Sequence, residues 1–217
     1  MWDHVAIDPK TKLVVALEVG KRTEELTQRL VQDARNRLAA GCLPALFSDA
    51  YAAYPPAILE AFGDRYPVAR QGQRGRQPNP RVRCPQGLVY AQVKKHYAGK
   101  RVVWVETRPI FGKGKLAATL QALGFNQVNT SAIERYNGTS RQHDRRQTRQ
   151  SLAFSKVSRY HRWMRWLATT LHNFCWDHRG LRQPENGTVL HRSPALAAGL
   201  TDHIWSVREW LLCPLLG

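Results

Sequence analysis

The order of hydrophobic patterns over the first fifty residues constrains the fold most. Val5 and Ile7 share one strand face, Asp8-Pro9-Lys10-Thr11-Lys12 spells a turn, and Leu13 to Val19 forms a second strand, so the chain opens on a β-hairpin. Thr23 to Ala39 then reads as a helix: Thr23 can cap it, and Leu26, Leu30, Ala34 and Leu38 recur at helical spacing before Gly41. Leu43 to Phe47 is a short apolar strand ending at Ser48-Asp49, followed by a turn to Pro55-Pro56 and a short helix from Ala57 to Phe62. Two antiparallel strands feeding a helix and then another strand specify an α/β plan with a mixed sheet.

The next segment changes character. Arg70, Arg74, Arg76, Arg81 and Arg83 sit among Gly, Gln and Pro with no acid from 70 to 85, the pattern of an exposed loop. Gly87 to His96 and Lys100 to Thr107 form a hairpin around Ala98-Gly99, and Leu116 to Leu123 is a short helix. A long helical stretch starts at Asn129-Thr130-Ser131 and runs to about Arg146, with Gly138-Thr139 as its weak point. Phe154 to His178 is the clearest helix, and Val157, Tyr160, Met164, Leu167, Leu171 and Phe174 form an apolar stripe expected to face the core. Trp163 and Trp166 are expected in that core as well. Pro184 to Gly187 reads as a linker, and the tail holds a short helix that Ser206 can cap.

Charge bounds the function. The chain has 217 residues with 33 Lys+Arg against 16 Asp+Glu, a formal net charge of +17. So large an excess on so short a chain calls for a polyanionic partner, with nucleic acid ahead of an acidic membrane surface. No apolar run approaches ~18 residues, so no transmembrane span is expected, and the Met1-Trp-Asp-His opening is not a signal peptide. The expected location is the cytoplasm, associated with the nucleoid. Cys42, Cys84, Cys175 and Cys213 are widely spaced and form no CxxC, which fits reduced cysteines rather than a zinc ribbon. His172 and His178 flank Cys175 on different helical faces, a poor metal set.

Two acids stand out. Asp49 ends a buried strand, the edge at which open α/β sheets bind ligands; it also reads as a turn residue or N-cap before Ala50. Glu134 lies in Ser131-Ala-Ile-Glu134, a capping-box spelling. From Arg135 to Arg165, however, Arg135, Arg141, Arg145, Arg146, Arg149, Lys156, Arg159, Arg162 and Arg165 face a single acid, Asp144. Such a ridge suits phosphate backbones, because each cation that neutralises a phosphate releases counterions. An acid at a strand end, an acid heading a helix and a basic surface together suggest metal-assisted phosphoryl transfer, with Mg²⁺ or Mn²⁺ on carboxylate and phosphate oxygens. Two carboxylates alone are sparse ligation for such a site.

Several segments resemble one family. Ser48-Asp49-Ala50-Tyr51-Ala52-Ala53-Tyr54-Pro55 is similar to the second-aspartate motif of insertion-sequence-one type DDE transposases. Ile133-Glu134-Arg135-Tyr136-Asn137 resembles their glutamate motif, and Leu152-Ala153-Phe154-Ser155-Lys156 the segment after it. Trp2 to Gly20 looks like the second and third strands of their ribonuclease H-like domain. The resemblance implies a ribonuclease H-like mixed sheet flanked by helices, with its first strand missing here and a β-hairpin inserted. It implies Mg²⁺-dependent cleavage and strand transfer of double-stranded DNA at element ends and target, with Asp49 and Glu134 as catalytic and metal-binding acids. Arg135, Arg141, Arg145, Arg146, Arg149 and Lys156 are the expected DNA contacts, and self-association is expected by analogy. Neither a membrane nor a small-molecule substrate is expected.

Two departures from the family pattern shape the expectation. The interval from Asp49 to Glu134 is long and holds the 87–107 hairpin, an insertion tolerated if it projects from the fold. The strand carrying the family's first aspartate is not found; Asp8 reads as a turn residue, and Asp3 shares a face with Val5 and Ile7. The expected organisation is a catalytic core over residues 1–180, with an insertion at about 65–115, and an extension over 181–217. The chain then reads as the catalytic portion of a transposase whose beginning lies elsewhere, for example in a frame joined by frameshifting. Two rivals stay open: a catalytically inactive DNA-binding remnant or regulator, and a basic RNA-binding protein.

Overall fold

The computed structural model describes residues 1–69, 77–147, 152, 155–185 and 187–213. Arg149 and the 70–76 part of the arginine-rich loop lie outside the described residues, as do Ala153 and Phe154. The chain divides into two compact units, one made of Met1–Lys21 with Ser131–Gly217 and the other of Arg22–Thr130. The expected boundary at 180 does not coincide with this division: the residues after it belong to the same unit as the opening hairpin. Among the described residues no helix is long and apolar enough to cross a membrane.

The Arg22–Thr130 unit is a mixed α/β layer structure. Helix α1 (Glu24–Asn36) starts where Thr23 accepts from the Leu26 N–H, and stops short of the predicted Ala39. Strand β3 (Ala45–Asp49) leads through a turn into α2 (Tyr54–Phe62), with prolines in its first turn where their missing N–H costs nothing. The segment expected as one loop contains a small antiparallel ribbon, β4 (Asp64–Tyr66) with β5 (Arg81–Arg83).

The predicted hairpin is present as β6 (Val89–Ala98) and β7 (Arg101–Phe111), but it does not simply project. Val89–Val93 pair in parallel with Ala45–Asp49, so β6 is the middle strand of a sheet ordered β3-β6-β7. The reason is composition: Val89-Tyr-Ala-Gln-Val93 is buried along its length, which only a strand covered on both faces achieves. Leu88 and Tyr90 join Val31, Ala57, Ile58 and Phe62 under α1 and α2. Val89, Ala91 and Val93 face the other way, onto Leu116 of α3 (Leu116–Leu123) and Val128. Only the distal part of the hairpin leaves the core, turning at Gly99 with φ +61°.

The other unit begins with β1 (Trp2–Ile7) and β2 (Val14–Gly20), paired antiparallel. Asp8 makes the turn between them, accepting from the Lys10 and Thr11 N–H groups at 3.1 Å each. Helix α4 (Ser131–His143) passes through Gly138 without a break, and a 3-10 turn at Arg145–Gln147 follows. Helix α5 (Ser158–Phe174) is shorter than predicted. Around the expected linker at 184–187, β8 (Gln183–Glu185) pairs antiparallel with β9 (Thr188–Leu190). Helix α6 (Pro194–Ala197) follows, then α7 (Val207–Leu212) with the capping box of Ser206 and Glu209.

Helix α5 departs in part from the expectation: of the predicted stripe, Met164, Leu167, Leu171 and Phe174 are half-buried. Its buried residues are polar, namely His161, Arg165, Thr169, His172 and Asn173. Val157, Tyr160, Trp163 and Trp166, expected in the core, are exposed. Most polar groups on this buried face are paired, although His161 Nδ1 and Arg165 Nε make no hydrogen bond. Asp3 on β1 ion-pairs with Arg165, Oδ2 to Nε at 2.9 Å, and hydrogen-bonds His161 Nε2 at 3.0 Å. The Arg165 guanidinium also donates to Ser140 Oγ and to Tyr136 Oη, and Tyr136 shares a 2.8 Å hydrogen bond with Thr169. Arg165, counted with the basic ridge by sequence, is therefore fully buried structure, and Asp3 is its counterion.

Candidate nucleic-acid interface

The basic segment after α4 is held in place by one carboxylate. Asp144 is buried; its Oδ1 accepts from the Arg146 N–H at 3.0 Å and its Oδ2 from Gln147 Nε2 at 3.2 Å. Gln147 also donates to Ser140 Oγ at 3.0 Å, which ties the 3-10 turn back to α4. Ser155 closes the loop: its N–H donates to the Arg146 carbonyl at 3.2 Å, and its hydroxyl accepts from Arg146 Nη1 at 3.4 Å.

This frame turns Arg145 and Arg146 outward beside a cleft of about 660 Å³. His143, Lys156, Val157 and Tyr160 line it as well. Asp144 also lines the cleft, but its carboxylate is taken up by the turn. Among the described residues the cleft thus presents three permanent cations, Arg145, Arg146 and Lys156, around an open surface of mixed polar and apolar groups. That composition takes an anion, and the spread along one turn and the head of α5 fits a chain of phosphates better than one small ion. Of the six predicted contacts, the structure brings Arg145, Arg146 and Lys156 together here. Arg135 and Arg141 are exposed on α4 and do not line the cleft.

Glu134 is exposed in the first turn of α4, where the positive end of the helix dipole favours a carboxylate. Asp49 belongs to the other unit and ends β3, as predicted. Its Oδ1 accepts from the Tyr51 N–H at 3.3 Å, the turn role read from sequence, and its Oδ2 ion-pairs with Arg22 Nη2 at 3.2 Å. The same guanidinium lies 4.2 Å over the Tyr51 ring, and Tyr51 Oη donates to the Arg22 carbonyl at 3.3 Å. Arg22 was not singled out by sequence, because 27 residues separate it from Asp49. Beneath this turn the Tyr54 phenol is pushed up to about 12, first by burial and then by the nearby Asp49 charge. Burial likewise raises Tyr90, whose hydroxyl bonds Ser48 Oγ at 2.8 Å and accepts from Gln92 at 2.9 Å.

The donors for a metal are incomplete. No group of three or more His, Cys, Asp and Glu side chains gathers among the described residues. Asp49 and Glu134 are both exposed carboxylates, the donor type a hard cation takes, but the rest of the coordination shell would have to come from water and phosphate. His172, Cys175 and His178 do not converge either: the two imidazole rings are 6.1 Å apart, edge to face, and Cys175 Sγ lies 4.0 Å from the Ser206 carbonyl.

The most consequential residues that sequence reasoning misplaced are Tyr160 and Trp163, assigned to the core by their helical spacing. No family model, no curated protein and no solved structure matches the chain.

Proposed function

We propose that the chain is a DNA-binding protein of the DDE transposase type, with a ribonuclease H-like core and Asp49 and Glu134 as its metal-binding acids. The observation that carries the nucleic-acid part is the cleft framed by Arg145, Arg146 and Lys156, whose turn is built by a buried, fully engaged Asp144. The transposase part rests on the motif resemblance around Asp49 and Glu134, supported by the position of Asp49 at the C-terminal end of a strand paired in parallel. Magnesium, when bound, would supply charge neutralisation at the reacting phosphate. The proposed partners are element ends and target DNA, with association of several copies on paired ends and a place at the nucleoid.

The inactive DNA-binding alternative is favoured by one feature: Asp49 Oδ2 is held by Arg22, and no group of three or more His, Cys, Asp and Glu side chains gathers among the described residues. One experiment separates the readings. The full chain is mixed with duplex DNA bearing element-like ends, with and without Mg²⁺, and both binding and strand joining are followed. The transposase reading expects Mg²⁺-dependent joining that Glu134→Gln abolishes. Salt-sensitive binding without joining leaves the DNA-binding alternative, and preference for single-stranded RNA over duplex DNA points to the RNA-binding one.

A further inference from the structure

We propose that the exposed aromatic face at the start of α5 is a stacking platform for unpaired bases of the DNA whose phosphates occupy the adjoining cleft. The inference rests on the nucleic-acid reading above and names the form of DNA the site prefers.

Three observations carry it. First, α5 turns outward the N-terminal part of the side that its sequence marks as apolar: Tyr160 is 45% exposed and Trp163 56%, whereas Met164, Leu167 and Leu171 are half-buried. Large exposed aromatic patches mark binding surfaces. The C-terminal part of the same face is covered by the chain itself. The Trp205 ring packs on Phe174 at 4.9 Å, and the Trp205 backbone N–H donates to the Phe174 carbonyl at 3.0 Å. Second, the exposed rings are arranged as a surface. Tyr160 and Trp163 meet edge to face at 5.6 Å, and the Arg159 guanidinium lies over both, at 5.2 and 5.1 Å. Aromatic faces and guanidinium planes are the groups on which unpaired bases stack, whatever their sequence. Third, the platform and the cleft are continuous, because Tyr160 belongs to both.

Charge decides the occupant. Helix α5 contains no acidic residue, and Arg159 and Arg162 are exposed on it, beside Lys156, Arg145 and Arg146. A second copy docking through this face about a two-fold axis would set these cations against themselves. A polyanion with flat, apolar bases complements both the charge and the rings.

The test uses the full chain and three fluorescent probes at fixed salt: a blunt duplex, the same duplex with an unpaired tail, and the tail strand alone. We expect the tailed duplex to bind about tenfold more tightly than the blunt one, in line with base–aromatic stacking. Trp163→Ala should erase that difference while leaving blunt-duplex binding intact, and Trp163→Phe should keep most of it. Circular dichroism of both variants checks the fold. Salt-sensitive binding of blunt and tailed probes with equal affinity would overturn the platform and spare the nucleic-acid reading. Absence of binding to every probe at low salt would overturn both. Self-association of the wild type that Trp163→Ala removes, without a tail preference, would show that a second copy covers the face and would also overturn the proposal.

Discussion

The side-chain amide of Asn173 clasps the backbone of Val14, accepting from its N–H at 3.0 Å and donating to its carbonyl at 3.0 Å. It stands in for a neighbouring strand at this point of β2, satisfying two buried backbone groups that sheet pairing with β1 leaves over. One residue earlier, His172 Nε2 donates to the Lys12 carbonyl at 3.3 Å. Helix α5 is thus fastened to the opening hairpin by directional polar contacts rather than by an apolar stripe.

Asn173→Ala should therefore cost far more than a surface asparagine. Losing the amide leaves the Val14 N–H and carbonyl without partners in a buried site, a penalty of about 2–4 kcal/mol. Asn173→Asp keeps the acceptor, loses the donor and should fall between. Urea titration followed by circular dichroism checks the order, and a loss below about 0.5 kcal/mol for Asn173→Ala would refute the clasp.

The Asp3–Arg165 pair invites a double-mutant cycle. Asp3→Asn strands a fully buried guanidinium and should destabilise by about 3–5 kcal/mol. Arg165→Met in that background should recover a large part of the loss, because the uncompensated charge is gone. Independent, additive losses in the two single variants would show that Asp3 and Arg165 do not act as a pair.

Stability should depend on pH through His172. Burial first, then the nearby charges of His178, Arg165 and His143, lower its pKa from 6.5 to about 4. The unfolded chain binds this proton at the higher pH, so acid favours unfolding. The contribution is complete above pH 6.5 and is lost as pH falls from 6.5 toward 4. The shift corresponds to about 3 kcal/mol. His172→Gln keeps a donor for the Lys12 carbonyl without titrating, so denaturation midpoints measured from pH 7.5 to 4.5 should fall less steeply in the variant than in the wild type. Equal slopes would remove His172 from the account.

DNA binding should weaken with salt, and single cleft cations should be legible in that slope. Arg145→Ala, Arg146→Ala and Lys156→Ala should each lower the slope of log K against log salt by about 0.9 and weaken all duplex sequences alike. Arg141→Ala, away from the cleft, should change the slope less. Anisotropy titrations over a range of salt check this, and a slope untouched by all three cleft variants would rule the cleft out as the phosphate track.

Asp49→Asn and Glu134→Gln should leave duplex binding within about twofold, since neither residue lines the cleft. If the acids hold magnesium as proposed, either variant, or chelation by EDTA, abolishes strand joining by the wild-type chain. Joining that survives both substitutions would separate the activity from these residues.

Local rules made much of this chain legible in advance. Thr23 and Ser206 cap their helices because a side-chain oxygen next to an apolar-periodic run satisfies an N–H that has no other partner. Asp8 makes its turn and Asp49 ends its strand by equally local chemistry. The +17 charge set the class of partner to be expected, and the density of arginine after Glu134 pointed to the stretch where the cleft lies. Tertiary structure alone decided which face of α5 is buried. Periodicity shows that a helix has two faces, and the apolar one is expected inside because burial of polar groups is costly. Here Asp3, Tyr136 and the backbone of residues 12–14, all distant in sequence, supply partners for Arg165, Thr169, His172 and Asn173. That pairing inverts the usual balance and leaves Tyr160 and Trp163 on the surface. The same holds for β6, read as an excursion from the fold until its long-range pairing with β3 placed it in the middle of a sheet.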